Sequence, residues 1–285
     1  MTATAAAVAV ASKISPRLAA QATTATKLKG HINHSVCRWC YKQIPLDDLC
    51  QAGKEMGLVA IDLLDPGEFQ TAKKHDLLCS MVVHPMIDGL GGIDKAWNRL
   101  EHHDKLTPAY QQRIQETAAA GYERLICFSG NRAGLDDERG LENCAIGLRR
   151  ILPWAEKHNV TLCMELLNSR RNHKDYQCDH TAWGVALVQR LSSERFKLLY
   201  DIYHLQIMEG DICETIRQNH QYFDHYHTGG VPGRHELDET QELHYPRIMQ
   251  EIVGSGFKGY VAQEFVPQRP DALASLRQGV EICDV

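Results

Sequence analysis

Eight short apolar runs, separated by longer segments with helical spacing, set the strongest limit on how this chain can fold. The runs are His31–Arg38, Leu58–Leu64, Leu77–Val83, Arg124–Ser129, Val160–Leu167, Phe196–Ile202, Tyr222–Thr228 and Gly259–Phe265. Their length and their content of β-branched, Leu and Cys residues suit strands buried on both faces. Between them, Leu141–His158 carries Leu148, Ile151, Leu152 and Ala155 at helical intervals, and Pro153 predicts a kink or a break within it. Thr181–Leu191, Ile212–Asn219, Tyr245–Ser255 and Pro270–Cys283 repeat the pattern. Eight strand–helix units over some 250 residues predict an α/β chain folded as a single (βα)8 TIM barrel. A doubly wound open sheet would announce a Gly-rich phosphate turn after its first strand. Here that strand runs into Cys37-Arg38-Trp39-Cys40 instead.

The barrel domain is expected over residues 31–285. Residues 1–30 differ in composition: MTATAAAVAVAS opens the chain, and Ala20-Gln21-Ala22 has the small-residue character of a cleavage site, but no basic segment precedes the apolar stretch. They read as a disordered tail or the remnant of an export leader. Localisation follows that choice, cytoplasmic by default and exported if the stretch is a leader. The stretch is too short to span a bilayer. A net charge of −5 argues against a nucleic-acid clamp or a membrane-surface binder. The ten cysteines do not form the framework of a short secreted chain, and Cys37 and Cys40 make a lone CxxC without the second pair a zinc ribbon requires. They read as structural thiols.

In such a barrel the active site gathers at the C-terminal ends of the strands. The fifth run delivers Glu165, the sixth Asp201, the seventh His225 and His227 on one face, and the eighth Glu264. Singly, each is as easily an ion pair or a helix cap. On four consecutive strands they form a set that would repel itself without a cation. Glu165, Asp201, His227 and Glu264 form an oxygen-rich donor set, which favours Mg2+ or Mn2+, with Co2+ or Zn2+ also open. Such an ion polarises a carbonyl, and a flanking Glu can take and return a proton. The implied chemistry is proton transfer beside a carbonyl.

The chain resembles the hydroxypyruvate isomerase family of the xylose isomerase-like barrels. The resemblance is carried by Ser35–Cys40, His84-Pro85-Met86, Glu165-Leu166-Leu167-Asn168-Ser169-Arg170, Leu199–Gln206 and the loop Val231-Pro232-Gly233-Arg234-His235-Glu236. It implies interconversion of hydroxypyruvate and 2-hydroxy-3-oxopropanoate, with Glu165 and Glu264 as the proton-transferring pair and Asp201 and His227 completing the metal site. It places His204, Arg234, His84 and Asn168 among the substrate contacts, with Arg234 gripping the substrate carboxylate. The alternative is a ketose 3-epimerase. In the epimerases it resembles, a further Glu often lies six residues after the first metal Glu; Arg171 stands there, which adds positive charge and favours an acid. His244 replaces an Asn of the family loop. An endonuclease IV-like enzyme would need more His ligands and a basic groove, and a silent binding barrel would not need the quartet. The implied partner is a small hydroxy-oxo acid or sugar, without nucleic acid or membrane, and a homo-oligomer stays open.

Overall fold

The computed structural model describes residues 27–285, so the reading of the first 26 residues as tail or leader lies outside the described residues. Among residues 27–30, Leu28 packs on the core and the Lys29 backbone N–H donates to the Asp284 carboxylate at 2.9 Å. The barrel's packing therefore takes in the last residues of that stretch.

Eight parallel strands form one curled sheet: β1 (Asn33–Cys37), β2 (Ala60–Asp62), β3 (Leu78–Cys79), β4 (Arg124–Cys127), β5 (Thr161–Glu165), β6 (Phe196–Asp201), β7 (Phe223–Thr228) and β8 (Tyr260–Gln263). Their order is β3-β2-β1-β8-β7-β6-β5-β4. The ends meet through a parallel bridge between Val82 and Leu125, with Val82 N–H donating to Arg124 O at 2.9 Å and Ile126 N–H to Val82 O at 3.1 Å. The expected third run, Leu77–Val83, is present in pieces: after β3 the chain still exchanges hydrogen bonds with β2 and its extension, Ser80 N–H to Ile61 O and Leu63 N–H to Met81 O. The strands are apolar on both faces because one side fills the barrel and the other meets the helices.

Among the described residues, ten α-helices surround the sheet: α1 (Leu46–Met56), α2 (Phe69–Lys74), α3 (His103–Ala119), α4 (Asp137–Leu148), α5 (Leu152–His158), α6 (Thr181–Leu191), α7 (Ile202–Met208), α8 (Ile212–Asn219), α9 (Tyr245–Gly254) and α10 (Ala272–Cys283). Leu49, Cys50, Gly53 and Met56 form the buried stripe of α1, which ends at Gly57 with φ +89°, a left-handed conformation that glycine adopts without steric cost. Asp136 and Asp271 cap α4 and α10 by accepting from backbone N–H groups three residues on. The helical pattern over Leu141–His158 is indeed divided, with Pro153 in the first turn of α5, where its missing N–H costs nothing. Pro108 falls inside α3, a helix that the sequence pattern did not announce. All ten cysteines are free thiols, nine of them buried. No helix among the described residues is long and apolar enough to cross a membrane.

Candidate metal centre and cavity

Strand ends bring the quartet together. Glu165 and Asp201 close β5 and β6, and His227 lies opposite Asp201 in the β6–β7 register. Glu264 follows β8, where its N–H donates to Thr228 O and continues the ladder. One ligand atom from each of the four lies within 4.8 Å of the others, and all four residues are buried. His227 Nδ1 stands 3.3 Å from Glu165 Oε1 and 2.7 Å from Glu264 Oε2. Neither His227 Nδ1 nor Glu165 Oε1 has a hydrogen-bond partner of acceptable geometry. Two unsatisfied buried atoms aimed into a carboxylate cluster are what a divalent cation would satisfy. Charge agrees: with His227 neutral, as a metal ligand must be, three carboxylates against the Arg234 guanidinium leave two negative charges for an ion to balance. The residues therefore fit the metal.

The titration behaviour reflects the same crowding. Burial, together with the neighbouring Glu264, pushes the Glu165 carboxyl up, and burial with the other two carboxylates pushes Asp201 up. Burial also works against a charged Glu264, but Arg234 and His227 outweigh it and hold that carboxyl well below its usual range. Burial opposes a charged His227, yet Cys37, Glu264 and Asp62 hold it up.

Arg234 sits at the centre of these contacts. Nη2 is 3.1 Å from Asp201 Oδ2 and also pairs with Glu264 Oε2, and the guanidinium lies 5.2 Å from the ring centres of both Trp39 and Tyr203. Its backbone has φ +62°, uncommon for a residue with a side chain, and is pinned by Arg234 N–H to Gly230 O at 2.8 Å and Val266 N–H to Arg234 O at 2.7 Å. Gly230 must be glycine, since a Cβ there would stand 2.3 Å from Glu236 O. Glu236 anchors the loop from below by accepting from the backbones of Gln268 and Arg269 and from Ser275 Oγ. A metal ion and the guanidinium would compete for the same two carboxylate oxygens.

A cavity of 660 Å3 opens beside the quartet, within the usual range for small-molecule sites. Its lining includes Glu165, Glu264 and Arg234, the apolar Leu63, Val83, Ile126 and Phe128, and Arg38, Lys42 and His84. His84 is edge-on to Phe128 with its Nδ1 unpartnered, and burial lowers its pKa to about 4, so it is neutral at pH 7.

Of the four residues expected to contact substrate, His84 and Arg234 line the cavity. His204 and Asn168 are fully buried and do not line it. They brace Arg234 and the β5 turn instead. The Asn168 backbone and amide both donate toward His204 Nδ1, at 3.1 and 2.6 Å, and His204 Nε2 faces Arg234 Nη1 at 3.1 Å and Asp201 Oδ2 at 3.6 Å. The Asn168 amide is spent here and on Asn172, because the turn after β5 folds back over the strand end. Arg171 and His244 are exposed and outside the cavity, so Arg171 does not supply the expected positive charge; Arg38, Lys42 and Arg234 line the cavity together with the carboxylates Asp65 and Glu68.

Three site residues escaped the sequence reading. Trp39, 37% exposed at the cavity mouth, donates Nε1–H to Glu264 Oε1 at 2.7 Å. His173 lines the cavity and its ring lies 5.2 Å from that of His204. Asp62 is fully buried beneath His227, with its Oδ2 2.9 Å from His227 Nε2. Asp62 carried the signal used for Glu165, a carboxylate ending an apolar run. Cys37 also touches this carboxylate, whereas burial keeps both Cys37 and Cys40 protonated.

Parallel strands closing into a barrel, with a carboxylate–histidine quartet at their C-terminal ends, define a TIM-barrel scaffold. The sequence pattern of the xylose isomerase-like TIM barrel family matches residues 70–283, and the chain belongs to that family. The hydroxypyruvate isomerase of Escherichia coli is 24% identical over 226 residues, 75% of this chain and 85% of that one. The 2-oxo-tetronate isomerase of Cupriavidus necator is 30% identical over 128 residues, 45% of this chain. Among solved structures, one described as AP endonuclease, family 2, from Brucella melitensis superposes with a TM-score of 0.75 at 25% identity, covering 86% of this chain and 97% of that one. At about 30% identity, the chain spans 59% and 47% of the length of two curated relatives.

Proposed function

We propose that this protein is a divalent-metal-dependent isomerase that interconverts hydroxypyruvate and 2-hydroxy-3-oxopropanoate. The observation that carries the proposal is the buried quartet of Glu165, Asp201, His227 and Glu264, two of which line the cavity, with two of its donor atoms unsatisfied. The matched isomerases named above support it. In this reading Glu165 and Glu264 line the cavity as the proton-transferring pair. One carboxylate takes the proton from the hydroxyl-bearing carbon, and a proton is returned to the former carbonyl carbon, while the hydroxyl proton passes to the former carbonyl oxygen. The enediolate between these steps keeps its atoms and electrons, so no redox cofactor is needed. A bound Mg2+ or Mn2+ supplies the electrophile that polarises the carbonyl. Trp39 and Arg234 hold Glu264 in place, and Arg234 supplies the donor for the substrate carboxylate. The apolar wall excludes water that would quench a carbanion-like centre.

A ketose 3-epimerase is the second reading, and the cavity favours it in one respect: 660 Å3 is generous for an acid of seven heavy atoms. The deciding assay offers hydroxypyruvate and a panel of ketoses in deuterated water and follows exchange and product by NMR. Turnover confined to ketoses would overturn the acid reading. Arg234→Ala separates the two further. Both substrates lose the orientation of Glu264, but only an anion loses a charge-assisted hydrogen bond worth about 1.5–3 kcal/mol, so its KM should rise roughly tenfold or more relative to the ketose. Equal KM changes would count against the clamp.

A further inference from the structure

Asp62 takes no part in the proton transfer, yet its carboxylate organises the floor of the site. It ends β2 and is fully buried. Four side chains surround its two oxygens. Oδ2 accepts from His227 Nε2 at 2.9 Å and from the Cys37 thiol at 3.3 Å. Oδ1 accepts from Ser80 Oγ at 2.5 Å and lies 3.0 Å from His225 Nε2. A buried carboxylate is retained only where partners compensate its lost hydration, and this one is encircled.

The consequence falls on His227. A neutral imidazole carries one proton, and which nitrogen keeps it is set by the hydrogen bond the other ring edge makes. With Nε2 held against Asp62 Oδ2, Nδ1 is the nitrogen left with a lone pair once the ring is neutral, as a metal ligand must be. That is the atom without a hydrogen-bond partner, 3.3 Å from Glu165 Oε1 and 2.7 Å from Glu264 Oε2. We propose that Asp62 is the positioning residue of the metal centre. By accepting from His227 Nε2–H it fixes the ring and the tautomer that present Nδ1 to the quartet, and so sets how tightly the quartet holds a divalent ion. This rests on the metal-dependent reading above.

Cys37, Asp62 and His227 are themselves close enough to share an ion. Asp62 and His227 are already joined by a hydrogen bond at 2.9 Å, and the Cys37 thiol donates to the same Asp62 oxygen at 3.3 Å. Support of the ligand from behind is the arrangement these contacts describe.

The test is a Mn2+ titration of the full chain followed by calorimetry, with unaltered and Asp62→Asn protein. Asn keeps the size but replaces one acceptor oxygen by a donor. The expected result is a Kd for Mn2+ raised about 10–100-fold, with the circular dichroism spectrum retained in chelator; a merely structural role would lower stability without this loss of affinity. A second measurement needs no change at Asp62: long-range 1H–15N correlation of the histidine rings in Mg2+-loaded protein, with His227 identified by its loss in His227→Gln. Nε2 protonated and Nδ1 bare or metal-bound supports the proposal, and the Nδ1–H tautomer overturns it even if Asp62→Asn does not fold. An unaltered chain that binds Mn2+ while Asp62→Asn matches it within twofold overturns this proposal alone. An unaltered chain that binds no Mn2+ overturns the metal reading and this proposal together.

Discussion

Glu264→Gln is expected to lower turnover by about 10²–10⁴-fold while the fold persists. The substitution keeps the shape and one acceptor oxygen, so the Trp39 indole retains its partner. What it removes is the ability to take a proton, and it presents an amide N–H to Arg234, already a cationic donor there. Stability should fall, because the buried Arg234 and His227 lose a charged partner, and the relief of repulsion among Glu165, Asp201 and Glu264 offsets only part of that loss. The measurement is kcat by deuterium-exchange NMR beside a thermal melt. Near-normal turnover would remove Glu264 from the acid–base pair, and loss of both turnover and fold would point to a structural role instead.

Chelation should have an effect at least as large. Treatment with EDTA is expected to reduce activity to background, and Mn2+ or Mg2+ to restore it. The reason lies in the charges: a buried site with two excess negative charges neutralises by taking protons unless an ion is present, and protonated Glu165 and Asp201 cannot serve as ligands. The same linkage predicts a stability change independent of activity. An ion that binds only the folded chain adds about 2.7 kcal/mol at a concentration one hundred times its Kd, so the melting temperature should climb with Mn2+ and fall in chelator. Full activity in metal-free protein would sink the mechanism, whatever the melting curves show.

Much of this arrangement could be read from residue order. The eight runs correspond to the eight strands because parallel barrel strands, buried on both faces, must be continuously apolar, and that pattern needs no neighbours to be seen. Glu165, Asp201, His227 and Glu264 stood out for a related reason: an ionisable residue at the end of such a run is costly without a partner. The break before Pro153 was legible because proline lacks the N–H that a helix interior requires. Helix α3 was not, since Pro108 and its many polar residues blur the periodicity that tertiary packing overrides.

The site's support was far less visible. Asp62 and His227 are 165 residues apart, and Trp39 and Glu264 are 225 apart. Nothing local distinguishes a carboxylate that orients a ligand from one that serves as a ligand. Residue order alone determined the barrel and the four strand ends, because each follows from a local period or a local cost of burial. Only the tertiary structure decided that His204 and Asn168 stand behind the cavity wall, that Arg234 shares oxygens with the quartet, and that Asp62 sits under His227. Those are relations between strands joined by closure of the barrel, and hydrogen-bond direction and burial exist only once closure has brought them within reach.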